Sequence, residues 1–286
     1  MDWTDRRKRF RAILNGSRCV HPGSVFDPMS ARIAEDLGFE IGMFAGSAAS
    51  MTVLGAPDLI VLTLSEFAAQ AYRICRAGNL ALLVDADHGY GNALSAKRTV
   101  EELETAGVSG LTIEDTLLPA AYGAGKAQLV SIDEGVGKMR AALAGRQDPS
   151  LSVIGRTVAL GITGLDDTIA RVTAYAATGV DAIFLVGLRT REQLEAVSKA
   201  ITLPLILGNA PAELQDLTYL ASRNVRICLQ GHLPIMAAVR AVHDTLKALR
   251  DGTPPAKIGG IASDELMKQV TRDASYKQWT KDFLGG

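Results

Sequence analysis

The chain has 286 residues, 48% of them apolar and only 5% aromatic, so a large core of Ala, Leu, Val and Ile is expected. A net charge of −1 gives no global electrostatic case for nucleic acid, and no apolar run is long enough to span a bilayer. The N-terminus lacks the apolar core of a signal peptide, and Cys19, Cys75 and Cys228 are odd in number and widely spaced, like free thiols of a reducing compartment; a cytoplasmic protein is expected.

In chain order, Arg6-Arg7-Lys8-Arg9 with Arg11 reads as the solvated side of a first helix, and Phe10, Ile13 and Leu14 as its apolar side. Short apolar strands then alternate with helical stretches. Strands are expected at 23–26, 41–45, 81–85, 110–114, 152–156, 182–186, 204–207 and 226–229, and helices at 28–37, 64–76, 93–106, 132–144, 166–178, 191–200, 211–222 and 234–251. Breaks such as Leu37-Gly38, Ala106-Gly107 and Thr178-Gly179 fit helix ends followed by a fresh strand. Eight undivided units predict a (β/α)8 TIM-type barrel with its site at the C-terminal strand ends; a doubly wound open sheet is the alternative. The barrel and its first helix take residues 1–252. Residues 253–286 form a C-terminal helical extension of the same domain. Its helix at 263–284 carries Leu266, Met267, Val270, Tyr276, Trp279 and Phe283, to cover a rim or pack on another subunit.

The most informative segment is Leu80-Ala81-Leu82-Leu83-Val84-Asp85-Ala86-Asp87-His88-Gly89-Tyr90-Gly91, an apolar strand running into two carboxylates, a histidine and glycines. Burying two carboxylates at the end of a parallel strand is costly without a cation or partner, and two hard oxygen donors there suit magnesium or manganese. The competing reading is that they cap the next helix and hold a turn. On a continuing strand Asp85 and Asp87 point the same way, unless the turn re-aims one of them. Other strand ends contribute Asp27, Gly46-Ser47, Asp58 in the following loop, Glu114 with Asp115, Arg156 and His232. Asp58, Asp85, Asp87 and Glu114 are the candidate metal acids, some reaching the ion through water. Arg156 suits a substrate carboxylate, or else balances Glu114 in an ion pair. Backbone N–H groups at Gly46-Ser47 suit a second carboxylate or an oxyanion. His232 is as readily structural as functional, and Asp27 fits a helix cap before Pro28. Gly89-Tyr90-Gly91-Asn92-Ala93-Leu94 and Gly123-Ala124-Gly125-Lys126 both fail as nucleotide-binding loops.

These residues carry a resemblance. Val25-Phe26-Asp27-Pro28-Met29-Ser30-Ala31-Arg32, Gly46-Ser47, Gly55-Ala56-Pro57-Asp58, the segment from Asp85 to Gly91 and Thr112-Ile113-Glu114-Asp115 resemble the isocitrate lyase/phosphoenolpyruvate mutase superfamily. Glu114-Asp115-Thr116-Leu117-Leu118-Pro119 and Gly231-His232 resemble its bacterial oxaloacetate decarboxylases. The resemblance implies a magnesium-bearing barrel (manganese as substitute) acting on 2-oxo acids through enolate-like intermediates. It implies a homo-oligomer, a dimer or a dimer of dimers (a homotetramer), exchanging a C-terminal helix. It also implies Asp85 as the direct metal ligand, with Asp58, Asp87 and Glu114 mostly through water. Ser47, Arg156 and His232 match catalytic, substrate-contacting positions, to which Gly46 and Asp85 are added as substrate-binding residues.

The segment from Leu117 to Ala124 lacks the cysteine of isocitrate and methylisocitrate lyases and the lysine- and asparagine-bearing loop of the mutases. Strand five reads Arg156-Thr157-Val158-Ala159-Leu160, apolar at 158 and 160 where many relatives are polar, and strand seven lacks a tyrosine before Gly208-Asn209. The expected activity is magnesium-dependent decarboxylation of oxaloacetate, or a close 2-oxo dicarboxylate, to pyruvate and CO2. The alternatives are another C–C or P–C lyase or mutase of the superfamily, and a silent carboxylate-binding member.

Overall fold

The computed structural model describes residues 2–285. Eight parallel strands form one sheet in sequence order: β1 Gly23–Ser24, β2 Ile41–Phe44, β3 Ala81–Asp85, β4 Gly110–Glu114, β5 Ser152–Thr157, β6 Ala182–Val186, β7 Leu205–Gly208 and β8 Val225–Cys228. The Val20 N–H donates to the Arg226 carbonyl (2.9 Å), and the Cys228 N–H donates to the Val20 carbonyl (3.0 Å). This parallel bridge brings the chain before β1 against β8 and closes the ring. The helices between strands are α2 Pro28–Asp36, α3 Gly46–Ala49, α4 Leu64–Cys75, α5 Ala93–Thr105, α6 Ile132–Gly145, α7 Ala159–Ile162, α8 Leu165–Ala176, α9 Arg191–Ala200 and α10 Leu217–Ser222, with α1 Thr4–Leu14 ahead of them. The (β/α)8 expectation holds and the open-sheet alternative falls. The expected helix at 211–222 is instead a 3-10 turn, Ala212–Leu214, followed by α10. Asp216 interrupts them by capping α10, accepting from the N–H groups of Thr218 and Tyr219.

Strand alternation sorts the core into two layers. Met43, Leu83, Ile154, Phe184 and Ile206 fill the ring, while Leu82, Val84, Leu111 and Val153 face the helices. Phe10 joins the inner layer from α1 and stoppers the N-terminal end of the barrel. A Cβ on Gly110, the first residue of β4, would lie 2.5 Å from its ring.

The basic run on α1 corrects an expectation. Arg6 and Arg7 are only 8% and 4% exposed. Arg6 donates to the carbonyls of Cys75 and Gly78, and Arg7 to those of Glu104 and Val108 and to the Asp148 carboxylate. Arg11 reaches the carbonyls of Ser150 and Leu151 and pairs with Asp181. These guanidiniums take up carbonyls at the turns entering β3, β4 and β5, so Arg6, Arg7 and Arg11 bind the barrel beside the buried Phe10 and Leu14, while Lys8 and Arg9 keep the expected exposure.

The chain divides into two compact units, the second beginning at His232. That unit holds α11 Leu233–Arg250, a 3-10 turn Pro255–Lys257, α12 Asp264–Thr271 and α13 Asp273–Leu284. The single helix expected at 263–284 is therefore two helices, broken where Arg272 adopts φ 62°. On α11, Met236, Val239, Val242, Leu246 and Leu249 are exposed along one side. No described helix is long and apolar enough to cross a membrane, and the three cysteines are free and buried.

Candidate active site

Inward-facing residues at the C-terminal ends of β3, β4 and β5 form one charged cluster. The sheet register sets Asp85 beside Thr112 and Glu114 beside Arg156. Thr112 Oγ1 donates to Asp85 Oδ1 at 2.9 Å. One arm of the Arg156 guanidinium pairs with Asp85, and the other lies 3.1 Å from Glu114 Oε2. Phe184 of β6 lies beneath it, its ring centroid 5.3 Å from the guanidinium carbon. Burial alone would lower the affinity of Arg156 for its proton, but the charges of Asp85 and Glu114 overcome this and raise it.

Asp87 does not continue the line of Asp85. β3 ends at Asp85, and Asp87 takes φ 47°, the first of several left-handed residues in the turn. This settles the direction question: the turn re-aims Asp87 toward the end of β2. There a Cβ on Gly46 would lie 2.6 Å from Asp87 Oδ2. The helix-cap half of the alternative for the two acids fails, because Asn92 caps α5 by accepting from the N–H groups of Leu94 and Ser95, whereas the turn half holds: Asp85 Oδ1 accepts from the Asp87 N–H at 3.3 Å. Asp27 does cap α2, in a reciprocal arrangement with Ser30.

Burial, then the charges of Asp85, Glu114 and Asp58, push the Asp87 carboxyl well above its ordinary value. Burial likewise raises Glu114, with Arg156 opposing. His88 is buried and held down to about 4, first by burial and then by the charge of Lys138.

Of the expected site residues, Asp85, Asp87, Glu114, Arg156 and Gly46 come together here. Ser47 follows Gly46 in α3 and is half-buried, and Asp58 lies on an exposed stretch before α4 and contributes its field at Asp87. His232 immediately precedes α11 and belongs to the second unit. Asp115 is not part of this cluster, because strand alternation turns it outward into the helix layer. Thr112 and Phe184 are site residues that the sequence reading missed. A threonine within an otherwise apolar strand was the available signal for the first.

Among the described residues, no three His, Cys, Asp or Glu side chains form a ready metal cluster, since the guanidinium stands between Asp85 and Glu114. The donor chemistry nonetheless fits a hard divalent cation. All the candidate ligands are carboxylate oxygens, and the negative charge of Asp85, Asp87, Glu114 and Asp58 exceeds what the one guanidinium of Arg156 balances. Magnesium, which keeps several waters and takes few protein ligands, suits such a set.

A parallel barrel with a buried carboxylate cluster at its C-terminal rim defines an enzyme-type site of the (β/α)8 class. Residues 10–250 match the family described as phosphoenolpyruvate phosphomutase, and the chain belongs to that family. The chain is 60% identical over 285 residues, spanning 100% of this chain and 99% of the relative, to an oxaloacetate decarboxylase of Bradyrhizobium diazoefficiens (strain USDA 110). It is 58% identical, at the same coverage, to one of Rhodopseudomonas palustris (strain BisB18). Among solved structures, oxaloacetate acetylhydrolase in complex with 3,3-difluorooxalacetate superposes with a TM-score of 0.86 at 28% identity, covering 99% of this chain and 98% of that one. Phosphonopyruvate hydrolase in complex with oxalate and Mg2+ superposes with a TM-score of 0.84 at 28% identity, covering 98% and 99%.

Proposed function

We propose that this protein decarboxylates oxaloacetate, or a close 2-oxo dicarboxylate, to pyruvate and CO2. The observation that carries this is full-length identity of 56–60% to relatives named oxaloacetate decarboxylase. The chain is a carboxy-lyase of that type. Asp85, Asp87 and Glu114, with Asp58, are the residues that would hold magnesium or manganese. Such an ion supplies Lewis acidity toward the carbonyl of a 2-oxo acid.

The side chains do the remaining work. Arg156 offers paired N–H donors to a substrate carboxylate, and its buried Nε has no partner within the protein to compete. Asp85 and Glu114 fix the guanidinium from either side, and Phe184 supports it from below. As the C3–C4 bond breaks and CO2 leaves, its electron pair forms the C2–C3 double bond and the carbonyl π pair moves onto the C2 oxygen. Backbone N–H groups at Gly46-Ser47 face such an oxyanion in this reading. A proton from water or a nearby acid, added at C3, completes pyruvate.

In the same reading the tail 253–286 extends the barrel domain, and the protein is a homo-oligomer exchanging its C-terminal helix. The exposed apolar side of α11 supports association with a second copy. A cytoplasmic setting agrees with three unpaired cysteines.

The test is pyruvate formation from oxaloacetate with magnesium and after chelation, corrected for the metal's own catalysis in solution. Strong magnesium-dependent turnover is expected, and Asp85→Ala should abolish it while the far-UV circular dichroism stays unchanged. Undiminished activity in that variant rejects the account.

A further inference from the structure

Behind the Glu114–Arg156 pair, on the outer side of the sheet, lies a second polar cluster to which the reaction assigns no role. Consecutive strand residues face opposite ways, so Asp115 and Thr157, next in sequence to Glu114 and Arg156, point outward toward α8. Asp115 Oδ2 accepts three hydrogen bonds: from Thr157 Oγ1 at 2.9 Å, Tyr175 Oη at 2.8 Å and Arg171 Nη1 at 3.1 Å. Arg171 also pairs through Nε with Asp167 at 2.8 Å and donates to the Val130 carbonyl at 2.9 Å. Val130 ends the 116–130 loop, and its N–H returns to the Asp115 carbonyl at 2.9 Å. Asp115 and Tyr175 are 0% exposed, Thr157 1% and Arg171 6%. α6 makes room for the hydroxyl with Gly135, where a Cβ would come within 2.3 Å of Tyr175 Oη.

We propose that Arg171 and Tyr175 are positioning residues that hold the ends of β4 and β5, and with them the Glu114–Arg156 pair, from outside the barrel. A buried ion pair with its hydroxyls is rarely the most stabilising way to fill such a space. Val172, the neighbour of Arg171 on α8, fills its own place with an apolar side chain and is 0% exposed. What the polar set adds is direction. Three donors converging on one oxygen fix Asp115 and Thr157, and the adjoining inward residues inherit that placement. Arg171 fixes the base of the 116–130 loop to the same point. This rests on the decarboxylase reading for its catalytic consequence, but not for its structural one.

The test compares Tyr175→Phe, Thr157→Val and Thr157→Ser with Val172→Ala, a control that loosens α8 without touching the cluster. Each is read by melting temperature, kcat and KM for oxaloacetate, magnesium-dependent oxalate binding, and the rate of tryptic cleavage after Lys126 in the loop. Tyr175→Phe and Thr157→Val should lower kcat/KM and weaken oxalate binding by about tenfold each, and cleavage should quicken. Thr157→Ser should restore wild-type values, while Val172→Ala should melt lower with kcat/KM and cleavage unchanged. The proposal is overturned if Tyr175→Phe and Thr157→Val behave like Val172→Ala. A wild-type protein that makes no pyruvate defeats the decarboxylase reading instead, and oxalate binding and loop cleavage still decide this one.

Discussion

Gly46 is a glycine because of its neighbour: the carboxylate of Asp87 occupies the space a Cβ would take. A carboxylate at the end of a short side chain can swing away, so Gly46→Ala should lower the melting temperature little. It should lower kcat/KM by about 100-fold, the scale expected for misplacing a site group by an ångström. Arg156→Lys should be comparably damaging, since an ammonium cannot span Asp85 and Glu114 as the fork does; steady-state kinetics on both variants checks this. At this scale the sequence was a good guide to which residues matter and a poorer one to where they point. Asp85, Glu114 and Arg156 were legible from their places at strand ends. The direction of Asp87 depended on a positive φ in a residue that is not glycine, which no spacing discloses. Asp115 was grouped with Glu114 by adjacency, although period-two alternation already separated them.

Among the elements, β3, β4 and β6 were readable to the residue, because apolar runs ended abruptly in Asp, Glu or Gly. On α1 the helix, its apolar Phe10 and Leu14 and its solvated Lys8 and Arg9 were legible, but Arg6, Arg7 and Arg11 looked solvated because the carbonyls they meet lie far along the chain. Two measurements follow for this helix. Phe10→Ala should cost about 3–5 kcal/mol in denaturant unfolding, as removal of a buried aromatic does. For Asp148, burial tends to raise the carboxyl, but hydrogen bonds from Ser150 and Arg7 outweigh it and bring it from 3.8 down to about 2. A depressed value in the folded state adds stability that is complete above about pH 4 and declines as the pH falls toward 2. Asp148→Asn should therefore flatten the dependence of melting temperature on pH within that window; an unchanged slope would remove the pair from the account.

For the whole molecule, the proposed assembly makes a direct prediction. Val239→Glu with Leu246→Glu places charge on the exposed apolar side of α11 and should shift sedimentation from an oligomer to a monomer. The break at Arg272 was invisible in sequence because the apolar pattern of the tail runs through it. The stopper at the base of the barrel bears on how the chain comes to be folded at all. α1 is synthesised before every strand it docks on, and Arg7 finds its carboxylate 141 residues later and Arg11 its carbonyls 139 and 140 residues later. Arg6 can meet the carbonyls of Cys75 and Gly78 once the chain has reached β3, but Arg7 lacks its carboxylate and Arg11 its carbonyls until the turn before β5 has been made. Contacts of such long span slow folding, and they make the ring's floor a late event: half the barrel exists before its first helix is fully held.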